Sequence, residues 1–294
     1  MDTDPAALWQ LTTPLPSLWR SDTTLQLGLE PPAGLVVDNP PPALPDVLQA
    51  LIRPCRRADL DNAAGPGSQH WLDAFLALLL TAGLLRRTEP APFAVSVIGQ
   101  SRLAVLVAEL LLAELAGPVR LIWPGSLGVP RAAVALQARC PDRLVCLGHW
   151  SYRSAEPGGI VVVATQAVEA ERSLLAQLEA DSQPYLVIRA CDVGTSVGPL
   201  VVPGRTPCQR CEDLHRSARD PAWPRLLAQL CRRRGGATQS ALYWAAATGA
   251  GHAAAWLLGQ LPDSLGAALE LNDRKEVGRR PLRAHPACGC LQFG

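Results

Sequence analysis

The chain has 294 residues, of which 48% are hydrophobic, so it is long enough for two domains with their own cores and too apolar for bulk disorder. Its net charge of +1 gives no global argument for nucleic-acid binding. No apolar run reaches membrane-spanning length and no signal-peptide pattern opens the sequence, so we expect a cytoplasmic protein that makes no membrane contact.

The first ninety residues predict a small domain of two strands and about three helices. TLQLGL (24–29) alternates apolar and polar side chains as a half-buried strand does, and GLVVDN (34–39) predicts its hairpin partner. Helices are predicted in ALPDVLQALI, in the segment that begins ADLDN, and over 71–85, where apolar residues recur at helical spacing. These elements predict a winged-helix-like α+β module over residues 1–90, which ends at the linker TEPAP.

The remainder of the chain, residues 91–294, alternates short apolar strands with amphipathic helices. The predicted order is strand FAVSVIG, helix RLAVLVAELLLAEL, strand VRLIW, helix PRAAVALQARC, strands RLVCL and GIVVVAT, helix AVEAERSLLAQLEA and strand PYLVIRA. Fully apolar strands separated by helices indicate a parallel sheet that is covered on both faces. The sequence therefore predicts an α/β fold with a Rossmann-like, doubly wound, mainly parallel sheet.

Two close cysteine pairs lie in the C-terminal third of the chain. Cys208 and Cys211 form a C-x-x-C, and Cys288 and Cys290 form a C-x-C. Four thiols in two tight pairs match the tetrahedral ligand set of zinc, and because four protein ligands leave no open position, we expect a structural zinc site. The alternatives are redox or disulfide chemistry and unliganded buried thiols. The odd total of nine cysteines and the missing signal peptide argue against disulfides.

The other cysteines are scattered, and we interpret them as small buried hydrophobes. Cys231 is a separate case, because it lies in the electropositive run LCRRRGG, which would lower the pKa of a thiol. The simpler interpretation of this run is a helix end rich in arginine. His285 lies beside the C-x-C and is either a neighbour of the metal or simply exposed.

Several segments occur in an order that resembles the ThiF/MoeB family of ubiquitin-activating-enzyme-like adenylyltransferases. They are a strand-to-helix turn at Gly99, GVPRAAVALQARCPD, VVVATQAVEAERSLLAQL, and VGPLVVPGRTPCQRC with a late C-x-C. The N-terminal module, GPLVVPGRTPCQRCEDLHRSARDPAWPRLLAQL and HPACGC look like the cyclodehydratase-associated members. The resemblance implies a protein that binds the leader of a ribosomal precursor peptide and presents it to a YcaO-type enzyme that makes azoline rings. It also implies a zinc knuckle at PGRTPCQRC and a homodimer that pairs through the sheet domain.

The positions at which such adenylyltransferases hold ATP are substituted in this chain. The glycine-rich turn retains only Gly99, and Trp123 stands where an acidic residue would bind the ribose. Gln166 stands where an aspartate would hold magnesium, and a neutral amide is a poor ligand for a hard cation. Arg131 stands in the place of a lysine and keeps the charge but not the shape. The sequence therefore favours a protein that does not use ATP and is not an enzyme.

A weaker site could persist at this turn. Gly99, Arg102 and Arg131 would form a degenerate nucleotide or anion site, although both arginines are equally well explained as solvated residues on helix faces.

The function that the sequence favours is therefore a non-catalytic scaffold that takes up an extended peptide by strand addition. The candidate contact segments are TLQLGL, GLVVDN and the helix around 71–79.

Two other functions stay open. One is an active ATP-dependent adenylyltransferase of a carboxylate, for which the nucleotide ligands are missing. The other is a transcriptional regulator that binds DNA through the winged-helix-like module, for which the local cluster Arg53, Arg56 and Arg57 is the only support. Residues 1–90 contain six arginines and ten acids, which is the wrong sign for a DNA-binding module. The acids are Asp2, Asp4, Asp22, Glu30, Asp38, Asp46, Asp59, Asp61, Asp73 and Glu89.

Overall fold

The structure is a computed structural model, and it describes residues 8–13, 15–29, 34–52, 55–88, 95–124, 129–150, 159–191 and 194–291. The chain divides into two compact units, Met1–Ala91 and Pro92–Gly294. None of the helices in the described part of the chain combines the length and the apolar character that crossing a bilayer requires.

The first unit is a small α+β structure. Its described strands are β1 (Leu8–Leu11), β2 (Ser17–Ser21), β3 (Thr24–Leu27), β4 (Leu35–Asp38), β5 (Cys55–Arg56) and β6 (Leu85–Thr88). Its described helices are α1 (Leu44–Leu51), α2 (Arg57–Ala64) and α3 (Gln69–Thr81). The predicted hairpin is confirmed, because β3 pairs antiparallel with β4, and each of the three predicted helical segments contains a helix.

The strands of this unit form two small sheets around one core. The first sheet has the order β5-β1-β6 and the second has the order β2-β3-β4. Leu25 and Leu27 of β3 are buried and pack in one cluster with the apolar faces of α1 and α3. Three of the buried side chains from these helices are Val47, Leu72 and Leu76. Burial of these alternating positions is what fixes the register of the hairpin.

The second unit is built around one large sheet. Its described strands are β7 (Val95–Ile98), β8 (Val119–Ile122), β9 (Leu144–Leu147), β10 (Ile160–Thr165), β11 (Tyr185–Cys191), β12 (Gly194–Val201), β13 (Ala267–Leu271) and β14 (Val277–Pro281). Its described helices are α4 (Arg102–Glu114), α5 (Arg131–Arg139), α6 (Arg172–Ala180), α7 (Gln209–Arg219), α8 (Trp223–Leu230) and α9 (Gln239–Leu257).

The sheet has eight strands in the order β14-β13-β12-β11-β10-β7-β8-β9. The strands from β9 to β11 are parallel, and β12, β13 and β14 extend the sheet in antiparallel pairs. The prediction of a mainly parallel sheet in an α/β fold is therefore confirmed, and the antiparallel extension was not predicted.

Both faces of the sheet are covered, and successive residues of β10 show this. Val162 and Ala164 belong to a core formed with α4, α5 and α9, whereas Val161 and Val163 belong to a core formed with α6 and the start of α7. The parallel strands all end at the same edge, which we call the carboxyl edge, and side chains and backbone groups from several connections meet there.

Candidate functional site

The four cysteines predicted as metal ligands come together where α7 begins. Cys208 is the residue that precedes α7, and Cys211 lies in its first turn. Cys288 and Cys290 lie in the C-terminal turn, where Gly289 has a φ of 73°. This left-handed conformation favours glycine and lets the chain reverse between the two thiols.

The geometry of the cluster fits a tetrahedral metal ion. All four sulfur atoms lie within 4.8 Å of one another. The Sγ atoms of Cys208 and Cys288 are 3.5 Å apart, and those of Cys211 and Cys290 are 3.4 Å apart. Sulfur atoms that surround one zinc at about 2.3 Å would be separated by about 3.8 Å. The four cysteines could therefore hold one metal ion with only small adjustments, and zinc is compatible with this ligand set.

Three of the thiols differ in how easily they ionise. Burial raises the pKa of Cys208, and burial raises the pKa of Cys290 to about 11. Burial acts in the same direction at Cys211, but hydrogen bonds from the backbone around His285 and Cys208 bring the pKa of this thiol below its ordinary value. A metal would have to displace protons from Cys208 and Cys290, so its affinity should fall at low pH.

His285 lies next to the cluster. Its ring stacks edge-on against that of His215 with 4.7 Å between the centroids, and its Nδ1 accepts a hydrogen bond from the N–H of Ala287. The predicted role of His285 as a neighbour of the metal site is therefore consistent with its position, while the cluster itself consists of cysteines.

A network of ion pairs fastens α7 to the rest of its unit. Glu169, only 3% exposed, forms ion pairs with Arg172, Arg189 and Arg216, the last of which lies on α7. Arg172 also donates two hydrogen bonds to Asp213 of α7, at 2.7 and 3.0 Å. Although burial opposes ionisation, the three arginines lower the pKa of Glu169 to about 2. The carboxylate is therefore charged at neutral pH.

A cavity of about 310 Å³ lies at the carboxyl edge, where open parallel sheets with helices on both faces commonly bind ligands. Its wall includes the turn after β7, the segment after β10 and the segment after α8. The last two segments are joined directly, because the N–H of Gly235 donates to the carbonyl of Gln166 at 2.8 Å and the N–H of Val168 donates to the carbonyl of Arg233 at 2.9 Å. The volume is at the small end of the range for ligand pockets.

Gly99 is required at this turn by packing. A Cβ atom at this position would lie 2.1 Å from the carbonyl oxygen of Ala164 in the neighbouring strand. The close approach of two strand ends therefore accounts for the one glycine that the turn retains. The adjacent Ser101 precedes α4 and is 5% exposed, but its hydroxyl does not cap the helix and has no hydrogen-bond partner.

Of the substituted positions at which the resemblance implies nucleotide ligands, one lies in the wall of this cavity. Gln166 lines it, as does Pro124, which follows Trp123. Trp123 itself is half-buried and packs against the main core of the unit. No carboxylate stands at either of the positions where the resemblance implies one.

The two arginines proposed from the sequence do not join Gly99 in the cavity wall. Arg102 donates hydrogen bonds to Gln239 and to the hydroxyl of Tyr243 on α9, at 3.1 and 2.9 Å. Arg131 is exposed at the start of α5. The arginines that line the cavity are Arg232 and Arg234, which the sequence analysis considered only as neighbours of Cys231.

Cys231 also lines the cavity, but its environment is opposite to the one expected. Burial raises the pKa of this thiol, and its Sγ lies 3.3 Å from the carbonyl oxygen of Ala170, to which it donates. The arginine that opposes this shift is Arg172, and it does not reverse it. The hypothesis that the arginine run lowers this pKa is therefore wrong.

In the first unit, the strands offered as peptide contacts are not equivalent. β3, which contains most of TLQLGL, is paired with β2 on one side and with β4 on the other, so it has no free edge. This corrects its proposal as a strand-addition site. Within the described residues, β4 from GLVVDN is paired with β3 alone. Helix α3 buries Leu72, Phe75, Leu76 and Leu79 but leaves Leu78 and Leu80 45% and 38% exposed.

No protein-family model and no curated protein sequence matches the chain significantly. Solved structures do match it. The MccB of E. coli with ATP has 14% identity and a TM-score of 0.53, over 97% of this chain and 99% of that chain. The microcin C7 biosynthetic enzyme MccB in complex with N-formylated MccA has 14% identity and a TM-score of 0.52 over the same shares.

A heterocyclase in complex with substrate and cofactor is a third match, with 18% identity and a TM-score of 0.51 over 97% of this chain. The match covers 39% of the heterocyclase, so this chain corresponds to about two fifths of that protein. The likeness is one of fold. At these identities it agrees with the resemblance to adenylyltransferases of the ThiF/MoeB type without identifying an activity.

Proposed function

We propose that this protein is a non-catalytic scaffold that binds an extended peptide and presents it to a modifying enzyme of the YcaO type. In this proposal residues 1–90 form a winged-helix-like peptide-binding module. Residues 91–294 form a degenerate adenylyltransferase-like domain with a structural zinc at the four cysteines. The observation that carries the proposal is the edge of β4.

The edge of β4 has the form that strand addition requires. The N–H of Asn39 donates to the carbonyl of Thr23, next to β3. Hydrogen-bonded pairs alternate along an antiparallel ladder, so the backbone groups of Leu35 and Val37 also bond to β3. The backbone groups of Val36 and Asp38 consequently point away from β3. They would give a bound peptide a donor and an acceptor at each position.

The other edge of this sheet is a poorer template. The pairing of β2 with β3 is interrupted by an irregularity between Trp19 and Ser21. Such bulges twist an edge strand away from flat pairing and are a common protection against strand addition. The β3–β4 register has no such shift, so β4 is the edge we assign to the peptide.

Two proteins of similar fold support peptide binding in general, although not its place on β4. MccB has been crystallised with N-formylated MccA, and the heterocyclase with its substrate. An active adenylyltransferase is the competing function, and it has no support in the cavity described above, since the carboxylates for ribose and magnesium are replaced.

The test is a selection of binding peptides from a random 20-residue library on the full chain, followed by amide exchange of the complex. We expect new protection at the N–H groups of Val36 and Asp38. Val36→Pro removes one outward N–H from an edge strand, where proline is tolerated, and should weaken binding at least tenfold. Val36→Thr keeps the N–H and the β-branched shape and should bind like the wild type.

Protection confined to residues from Val95 onward, with Val36→Pro binding normally, would place the peptide on the second unit and contradict the proposal. Zinc content should be the same in both variants, which shows that the second unit is intact.

A further inference from the structure

The segment that contains α7, α8 and the turn after α8 carries an excess of exposed positive charge. Between residues 205 and 234, two acids, Glu212 and Asp213, are half-buried and bound by arginines. The third, Asp220, is exposed. The exposed arginines of this segment are Arg205, Arg210, Arg219, Arg225, Arg232, Arg233 and Arg234.

Four of these arginines border α8, and we call them the α8 basic surface: Arg219, Arg225, Arg232 and Arg234. Helix α8 is about 12 Å long, with Arg219 just before it and Arg232 just after it. The N–H groups of Arg232 and Arg233 both bond to the carbonyl of Gln229, which prolongs the last turn. Arg225 and Arg232, seven residues apart, therefore lie on one side of α8.

The arginines of this surface have no acidic partner among the described residues, in contrast to Arg172 and Arg216 nearby. Leu226, 42% exposed, lies beside Arg225 and adds an apolar contact point. Guanidinium groups without acidic partners add little to the stability of the fold. They can bind carboxylates from another molecule, each with two parallel hydrogen bonds.

One end of the surface leads into the carboxyl-edge cavity, which Arg232 and Arg234 both line. Ser101 also lines this cavity, and its hydroxyl is buried without a hydrogen-bond partner. Ser101 is the residue before the 13-residue helix α4, so the positive end of that helix dipole lies at the cavity wall. One carboxylate, Glu171, faces the cavity too, so the two arginines leave it with a net positive charge.

We propose that the α8 basic surface binds an acidic polypeptide segment, one carboxylate of which enters the cavity between Ser101, Arg232 and Arg234. This inference rests on the proposed function, because it makes the scaffold's substrate an acidic peptide. A single-stranded nucleic acid fits less well, since it needs exposed aromatic rings for stacking. The ring of Trp223 is covered by the guanidinium of Arg216 at 4.5 Å, and its Nε1 donates to Asp213.

The experiment measures fluorescence polarisation of a labelled dodecapeptide of alternating Glu and Gly with the full chain at 50 mM salt. We expect saturable binding that weakens at 300 mM salt, because exposed charges are screened. Arg225→Gln/Arg232→Gln should weaken binding at least threefold. Ser101→Ala should weaken it further, by about tenfold, because a hydrogen bond to a buried charge is lost. Arg205→Gln/Arg283→Gln removes two exposed arginines elsewhere and should have no effect.

A dodecapeptide with an amidated C-terminus shows the source of the carboxylate. Weaker binding assigns the cavity to a terminal carboxylate, and equal binding assigns it to a glutamate side chain; both agree with the proposal. Equal binding of a Lys-Gly dodecapeptide, tighter binding of a 12-nucleotide oligothymidylate, or an equal loss in the control variant would overturn it. Val36→Pro should leave this binding unchanged, so failure of the β4 proposal is seen separately.

Discussion

The four-cysteine cluster and the carboxyl-edge cavity belong to one unit, and the resemblance to adenylyltransferases implies a bound group at each. In the cluster all four thiols lie together, with 3.5 Å between the sulfur atoms of Cys208 and Cys288 and 3.4 Å between those of Cys211 and Cys290. At the cavity, Gln166 and, just before Pro124, Trp123 stand where the resemblance implies carboxylates, and Gly99 is explained by packing against Ala164. The comparison teaches that a shared fold preserves the backbone around a site without preserving its ligands.

The two regions are nevertheless joined. Helix α7 starts in the cluster. Its Arg216 forms an ion pair with Glu169, and its Asp213 forms an ion pair with Arg172. Glu169 belongs to the segment 166–171, part of which lines the cavity. A metal at the cysteines would therefore hold the cavity wall in place, even if the cavity itself binds no nucleotide.

The largest effect should come from the cluster. Cys208→Ser keeps a residue that can precede α7 but removes one sulfur, so zinc content measured by plasma emission should fall from one ion per chain to nearly none. Because metal binding is coupled to folding, we expect a loss of roughly 5 kcal/mol and a Tm lower by about 10 to 20 °C. Cys140→Ser, a half-buried thiol outside the cluster, should keep the metal. A stable wild-type protein that contains no metal under reducing conditions would contradict this prediction.

The second largest effect should come from the ion pairs of Glu169, which join the cluster to the cavity wall. Glu169→Gln leaves three arginines without their shared carboxylate, and we expect a loss of about 3 kcal/mol in the free energy of unfolding at pH 7. The folded pKa of about 2 lies below the ordinary 4.5, so this contribution is present above pH 4.5 and is lost as the pH falls toward 2. Urea unfolding at pH 7 and pH 3 checks this.

The exposed Glu114→Gln serves as the control for that series and should change stability by less than about 0.5 kcal/mol. If Glu169→Gln costs as much at pH 3 as at pH 7, the carboxylate is not held by the arginines in the way described.

The smallest effect concerns Cys231 in the cavity wall. Burial raises the pKa of its thiol, so iodoacetamide at pH 7.5 should modify it more slowly than it modifies the same cysteine in the urea-unfolded chain. Peptide mass spectrometry resolves the individual cysteines. Faster modification in the folded chain would restore the idea of an activated thiol.

The sequence predicted elements whose signals are local. The apolar runs of β7 to β11, the helical spacing of α3 and α4, and the alternation of β3 and β4 all follow from periodicity within a short window. The cysteine cluster was predicted because two tight pairs restrict the chemistry strongly, although the pairs are far apart in the chain.

Other features depend on distant contacts and have no local signal. Strand β5 has two residues and exists because it pairs with β1, 46 positions away at Trp9 and Cys55. Helix α9 is rich in small residues, and Gly249 packs so closely on Ile188 that a Cβ atom would lie 2.1 Å from the side-chain Cδ1, which would have to move. Arg234 reaches the cavity through a bridge to Ala167, a pairing that periodicity does not reveal. Such contacts are set by the tertiary fold.

Calorimetric titration of magnesium ATP into the full zinc-loaded chain tests the central claim most directly, which is that the metal site persists while nucleotide binding has been lost. We predict no saturable heat, for the wild type and equally for Gln166→Asp, because the turn at Gly99 and the residue at Trp123 would still lack their ligands. Saturable binding of ATP to the wild type with a micromolar Kd would contradict the account.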